Sequence, residues 1–158
     1  MIPKRVAILQ SNYIPWRGYF DIIGLVDEFI VYDVAQYTKN DWRNRNRIRT
    51  SQGEQWLTIP VITSGRFGQT IADAEIQPGD WADHHWKAIA QAYARAPFFG
   101  AYASAFDEVF KACRDMSRLS AVNRRLMETI AGYLGLTQPR RSDVREQRGA
   151  PAEGGIRR

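Results

Sequence analysis

Residues 6–33 read VAILQSNYIPWRGYFDIIGLVDEFIVYD. Residues 5–9 are short, apolar and end at a polar loop, the pattern of a buried strand. Pro15 can open a helix, because the N–H it lacks would have no partner there. Tyr19, Ile22, Ile23 and Val26 recur at helical spacing, which predicts a short helix over 17–26. Glu28–Asp33 predicts a second strand. Strand, helix and strand in this span make a βαβ unit, parallel and right-handed. Ligands of such units sit beyond the carboxyl ends of the strands. The loops Gln10–Trp16 and Asp33–Tyr37 are therefore expected to face one crevice, with Tyr13 and Trp16 meeting a ligand and Phe20 and Tyr19 packing beneath.

Further along, residues 41–50 read DWRNRNRIRT, 51–54 read as a turn and 55–61, QWLTIPV, as a strand, so a hairpin is expected. Arg43, Arg45, Arg47 and Arg49 alternate, so on an extended strand all four share one face, with Asn44, Asn46 and Ile48 opposite. Guanidinium forks suit phosphates and carboxylates; the plainer alternative is a charged, solvated edge strand. Residues 62–69, ITSGRFGQ, read as a glycine-hinged loop able to close as a lid. Thr70–Ile76 reads as a further short strand. Three helices follow: one after an Asp80 cap with Trp81, His85 and Ile89 on its inner face, one opened by Pro97, and one capped by Ser117 or Ser120 and ended by Gly135. The fold class is α/β, three-layer-like: a βαβ start, a β-hairpin, then a helical C-terminal half.

A chain of 158 residues with 44% hydrophobic and 25% charged residues is expected to form one domain with a workable core. That domain is expected over 1–139. Residues 140–158 show no apolar periodicity and read as a basic disordered tail. Six arginines there stand against Asp143, Glu146 and Glu153, so three of the five formal positive charges belong to the tail. The body's small remaining charge argues against nucleic acid as the main partner. No apolar run is of membrane-spanning length, and the N-terminus lacks a signal-peptide core, so a cytoplasmic protein without membrane attachment is expected. The single cysteine, Cys113, sits in an apolar helical pattern and reads as a core residue.

Asp33 ends a hydrophobic strand at the expected crevice, where it could be a general base, a magnesium ligand, an arginine partner or simply a strand-end cap. His84 and His85 are helix neighbours that point about 100° apart, so they form no paired metal site. His85, on the apolar face, is the better candidate for proton transfer, with a hydrogen-bonded core histidine as the plainer alternative. Without a cysteine cluster no zinc site is expected. No Walker, GxGxxG or GxSxG spacing is present.

In order, QSNYIPWRGYFD, DWRNRNRI, QWLTIPV and HHWKAIAQAYARAPFF resemble the blocks of the WbqC-like family. Gln10, Tyr13, Pro15, Trp16, Gly18, Tyr19, Phe20 and Asp21 match its first block, with Ser11 in place of a usual proline. Asp33, Trp42, Asn44, Arg45, Asn46 and Ile48 match the second, Trp56 to Val61 the third, and His85, Trp86, Lys87, Tyr93, Ala96 and Pro97 the last. The resemblance covers roughly residues 5–140. It implies a transferase acting on an activated small molecule, acyl, aminoacyl or nucleotide-linked sugar, in bacterial surface-polysaccharide (O-antigen) or related biosynthesis. It also implies a chain truncated relative to the family, inactive if the missing segment supplies part of the site. The first loop further looks like the HxGH turn of nucleotidyltransferases without its histidines, leaving phosphate binding at a helix N-terminus.

The candidate catalytic residues are thus Asp33 and His85. The candidate ligand-binding residues are Gln10, Asn12, Tyr13, Trp16, Arg17, Tyr19, Asn44, Arg45, Asn46 and Lys87. No cofactor is implied by the cysteine and histidine content; magnesium would accompany a nucleotide-linked substrate. The rival readings are a non-catalytic binding or scaffold module and, with less support, a single-stranded nucleic-acid binder using basic and aromatic side chains.

Overall fold

The structure is a computed structural model, and it describes residues 3–136 and 140–142. The chain is mixed α/β, as its sequence predicts. Strand β1 (Val6–Leu9), helix α1 (Arg17–Leu25) and strand β2 (Glu28–Val31) form the βαβ unit. β1 and β2 are parallel, with Val6 opposite Glu28 and Leu9 opposite Val31. β2 is the central strand of a sheet ordered β1-β2-β5, where β5 is Arg140–Ser142. Phe29 and Val31 of β2 are fully buried, as a central parallel strand requires. Residues 140–142 were expected to open the disordered tail and instead pair in parallel with β2. The open edge of β2 needs only backbone groups to extend it, so this strand has no apolar signature. The rest of the expected tail, 143–158, lies outside the described residues.

Strands β3 (Arg45–Thr50) and β4 (Gly53–Thr58) form a separate antiparallel hairpin. Its register pairs Arg47 with Trp56 and Thr50 with Gly53, leaving Ser51 and Gln52 as the turn. The second strand therefore starts two residues earlier than expected and ends before Pro60, which cannot donate to a ladder. Thr70–Ile76 forms no strand. It contributes isolated bridges, Thr70 to Gln36 and Ile76 to Val61. The Thr70 hydroxyl donates to Asp73 Oδ2 at 2.6 Å and accepts from the Asp73 N–H at 3.1 Å, turning the chain where a ladder would need it straight.

Helices α2 (Trp81–Tyr93), α3 (Phe99–Cys113) and α4 (Leu119–Tyr133) complete the chain. None has a side-chain cap: Asp80 precedes α2 without a capping bond, and Phe98 and Arg118, rather than Pro97 or a serine, precede α3 and α4. The last helix does end at Gly135, with φ +69°. The Gly135 N–H donates to the Gly132 carbonyl and the Leu136 N–H to the Ala131 carbonyl, a Schellman closure.

Two apolar clusters hold these elements together. One joins Tyr13, the inner hairpin face (Ile48, Leu57), α2, α3 and the first half of α4. The other lies between the sheet, α1 and the second half of α4. Helix α4 walls both, Leu119, Val122 and Leu126 facing the first and Met127 and Ala131 the second. Cys113 is in the first cluster, and burial pushes its thiol up to about 11, where it is an inert core group.

Candidate functional site

The loop after β1 is fixed from four directions. The Ser11 N–H donates to Asp33 Oδ1 at 2.8 Å, so the loops after β1 and β2 do meet. Asn123 Nδ2 of α4 reaches Ser11 Oγ at 3.1 Å and the Arg43 carbonyl at 2.9 Å. The guanidinium of Arg43 donates to Asn12 Oδ1 and Gln10 Oε1. Asn46 Nδ2 donates to the carbonyls of Tyr13 and Ile14, at 3.2 and 2.6 Å. Ile14 needs that clamp, because its φ of 46° is costly for a β-branched residue.

This bracing leaves an open cleft of about 520 Å³ between the loop, the hairpin and α2. Asn12, Trp16 and Pro15 line one side, Arg47, Arg49 and Glu54 the other, with Trp42 and Tyr93 also at its walls. Trp16 is two-thirds exposed, and its indole lies over Gly18, where any Cβ would fall inside the ring. Gly18 sits in the first turn of α1 and seats this ring. On the outer hairpin face beside the cleft, cations and rings lie against one another. The Arg45 guanidinium lies 4.2 Å from the Trp56 ring centroid, and that of Arg47 lies 5.3 Å from Trp56 and 5.8 Å from Trp42. Such contacts hold flat cations in place without using their hydrogen-bond donors. Arg47 also pairs with Glu54 at 2.6 Å.

The sequence candidates divide. Asn12, Trp16 and Asn46 line the cleft, Tyr13 lies buried behind its wall, and Arg45 stands next to it on Trp56. Gln10 supports the cleft through Arg43. Tyr19 is buried, and its hydroxyl donates to the Gln10 carbonyl at 3.0 Å. Asn44 is buried and donates to the Ile59 carbonyl at 2.9 Å. Arg17 is exposed on α1 beside Asp21, and Lys87 is exposed on α2; neither lines the cleft. Tyr13, expected to meet a ligand, has a fully buried side chain. The arginine stripe is also broken, because Arg43 precedes β3 and turns toward the loop while Arg45, Arg47 and Arg49 stay on the outer hairpin face.

Asp33 and His85 stand apart from the cleft. Asp33 is buried and accepts the Ser11 N–H. His85 is buried with Nδ1 2.8 Å from the Tyr13 hydroxyl. Burial pushes its pKa down to about 4, aided by His84 and opposed by a backbone hydrogen bond at Thr58, so the imidazole is neutral near pH 7. The 62–69 loop does not line the cleft; Gly65 and Gly68 have φ of +70° and +75°, and Phe67 at its tip is fully exposed. Among the described residues no group of three or more His, Cys, Asp or Glu is placed to hold a metal ion, and no helix is long and apolar enough to cross a membrane.

Glu54, Trp42 and Tyr93 line the cleft although the sequence assigned them no site role. The register set by a turn at Ser51–Gln52 puts Arg47 opposite Trp56 and Arg49 opposite Glu54, and the sequence does not mark that two-residue turn.

The sequence model of the WbqC-like protein family matches residues 10–149, a span that includes every one of these clamps. The chain belongs to that family. A relative, Uncharacterized protein Rv1507c of Mycobacterium tuberculosis, is 53% identical over 134 residues, covering 85% of this chain and 58% of that protein. The chain thus spans less than two thirds of the length of the curated relative it matches. No solved structure matches it.

Proposed function

We propose that this WbqC-like chain carries the substrate-binding region of a transferase that acts on an activated small molecule, acyl, aminoacyl or nucleotide-linked sugar, in surface-polysaccharide or related biosynthesis. The observation that carries this reading is the cleft wall, where exposed Trp16 and Trp42 stand with Arg47 and Arg49. Rings stack on bases or sugars, and guanidiniums bind phosphate or carboxylate. Asn12 and Asn46 also line the cleft, with the Asn46 amide committed to the Tyr13 and Ile14 carbonyls. Saturable tryptophan quenching by adenosine 5′-monophosphate or UDP-N-acetylglucosamine is expected, weakened about tenfold by Arg49→Ala. Quenching by neither nucleotide at millimolar concentration would sink the proposal.

A second reading is a non-catalytic binding module, favoured by the burial of Asp33 and His85 away from the cleft. Transfer activity in a longer relative that survives Asp33→Asn and His85→Gln but fails with Arg49→Ala assigns this region to binding alone.

A further inference from the structure

Beside the cleft runs a second cavity of about 320 Å³ between α2 and α3. Trp86, Ile89, Pro97, Phe98, Tyr102 and Phe106 line it, and no charged or amide side chain does. At its floor Trp86 stacks on Phe99 and on Phe110, at centroid distances of 6.2 and 5.9 Å. Its rim is open, with Phe98 75% exposed and Tyr102 44% exposed, a grouping of rings that a surface without a ligand rarely carries. Tyr93 lines both cavities. Its hydroxyl accepts the Arg49 N–H at 3.2 Å, so this ring, tied to the hairpin, forms the wall between the cationic cleft and the apolar groove.

We infer that the two cavities are one bipartite site for a donor whose anionic, ring-bearing head carries an acyl or alkyl chain, the head in the cleft and the chain across Tyr93 in the groove. The inference rests on the cleft reading above and narrows its substrate class. The continuity at Tyr93 favours the chain of a single ligand over a separate partner: the groove adjoins the cleft that holds Arg47 and Arg49, the groups that would anchor the head. A buried methylene contributes about fourfold in affinity, so even a partly inserted chain has a measurable effect.

The test uses the methyl and octyl esters of adenosine 5′-monophosphate, which share one charge and one base and differ only in chain. Calorimetry on the full chain is expected to show the octyl ester binding at least tenfold more tightly. Phe98→Asp, at an exposed position that the fold tolerates, and Ala103→Trp, which fills the groove, should each erase that gain and leave the methyl ester unchanged. Equal affinities overturn the inference while the cleft reading stands. Binding of neither ester overturns the inference, and the cleft reading falls with it only if adenosine 5′-monophosphate and UDP-N-acetylglucosamine also fail to quench. A gain that persists in both variants, or self-association of the chain that Phe98→Asp abolishes, places the chain elsewhere or gives the groove to a second copy, and overturns it.

Discussion

The phenol oxygen of Tyr13 lies 2.8 Å from Nδ1 of His85, 72 residues further along the chain, and both side chains are buried. Trp81 meets both rings edge-on, at 6.4 Å from Tyr13 and 5.4 Å from His85. Two of the most chemical-looking residues of the sequence thus satisfy each other beneath the cleft.

The burial of His85 makes stability depend on pH. The folded His85 protonates only near pH 4, whereas the unfolded chain takes up that proton near 6.5. The unfolded state therefore binds more protons between these values, and stability falls as pH drops through that window. The contribution is full above 6.5 and lost by 4, at most about 3 kcal/mol. Urea denaturation of His85→Gln, which cannot titrate, should show a smaller loss between neutral and mildly acidic pH. Parallel losses in the two proteins would mean that His85 titrates normally.

Asp33 should separate by substitution. Asp33→Ala leaves the Ser11 N–H without its acceptor and is expected to cost about 1–3 kcal/mol. Asp33→Asn keeps an acceptor oxygen, should lose less than half as much, and should leave nucleotide binding intact. Ser11→Pro tests the other partner, since proline has no N–H to give Asp33. Chemical denaturation of the three variants decides; equal stability of the alanine and asparagine variants would refute the latch.

Gly18→Ala should uncouple stability from binding. Alanine is the better helix former by about 1 kcal/mol. Its methyl, however, would occupy the space of the Trp16 indole. The melting temperature is expected to hold or rise while nucleotide-induced quenching weakens several-fold. Unchanged quenching would show that Trp16 takes no part in the cleft.

Gly135→Ala should destabilise by about 1 kcal/mol, because the Schellman closure of α4 holds this residue at φ +69°. Thermal unfolding measures it, and no change would imply that the closure rearranges freely.

The βαβ start was legible because VAIL and EFIV are short apolar runs on either side of a 3.6-residue pattern, and local signals suffice for that. The hairpin was legible in its alternation, but its register was not, since the turn at Ser51–Gln52 carries Gly after the turn rather than within it. Burial was the weaker inference. Tyr13 and His85 belong to motif blocks and look reactive, yet each is buried against the other, 72 residues away in the chain. Arg43 fits the alternation of its neighbours and still leaves their face, because Gln10 and Asn12 supply acceptors that no strand pattern encodes. β5 was invisible for a similar reason: its position depends on an open edge more than a hundred residues away.

The bond from Asn123 to Ser11 spans 112 residues. The shape of the cleft is therefore thermodynamically linked to the docking of α4, a helix that does not line it. A ligand that binds only the braced loop raises the free energy of any opening that releases α4. Backbone amides of α4 should then exchange with solvent more slowly when the cleft is filled, a signal of occupancy that can be read far from the ligand itself.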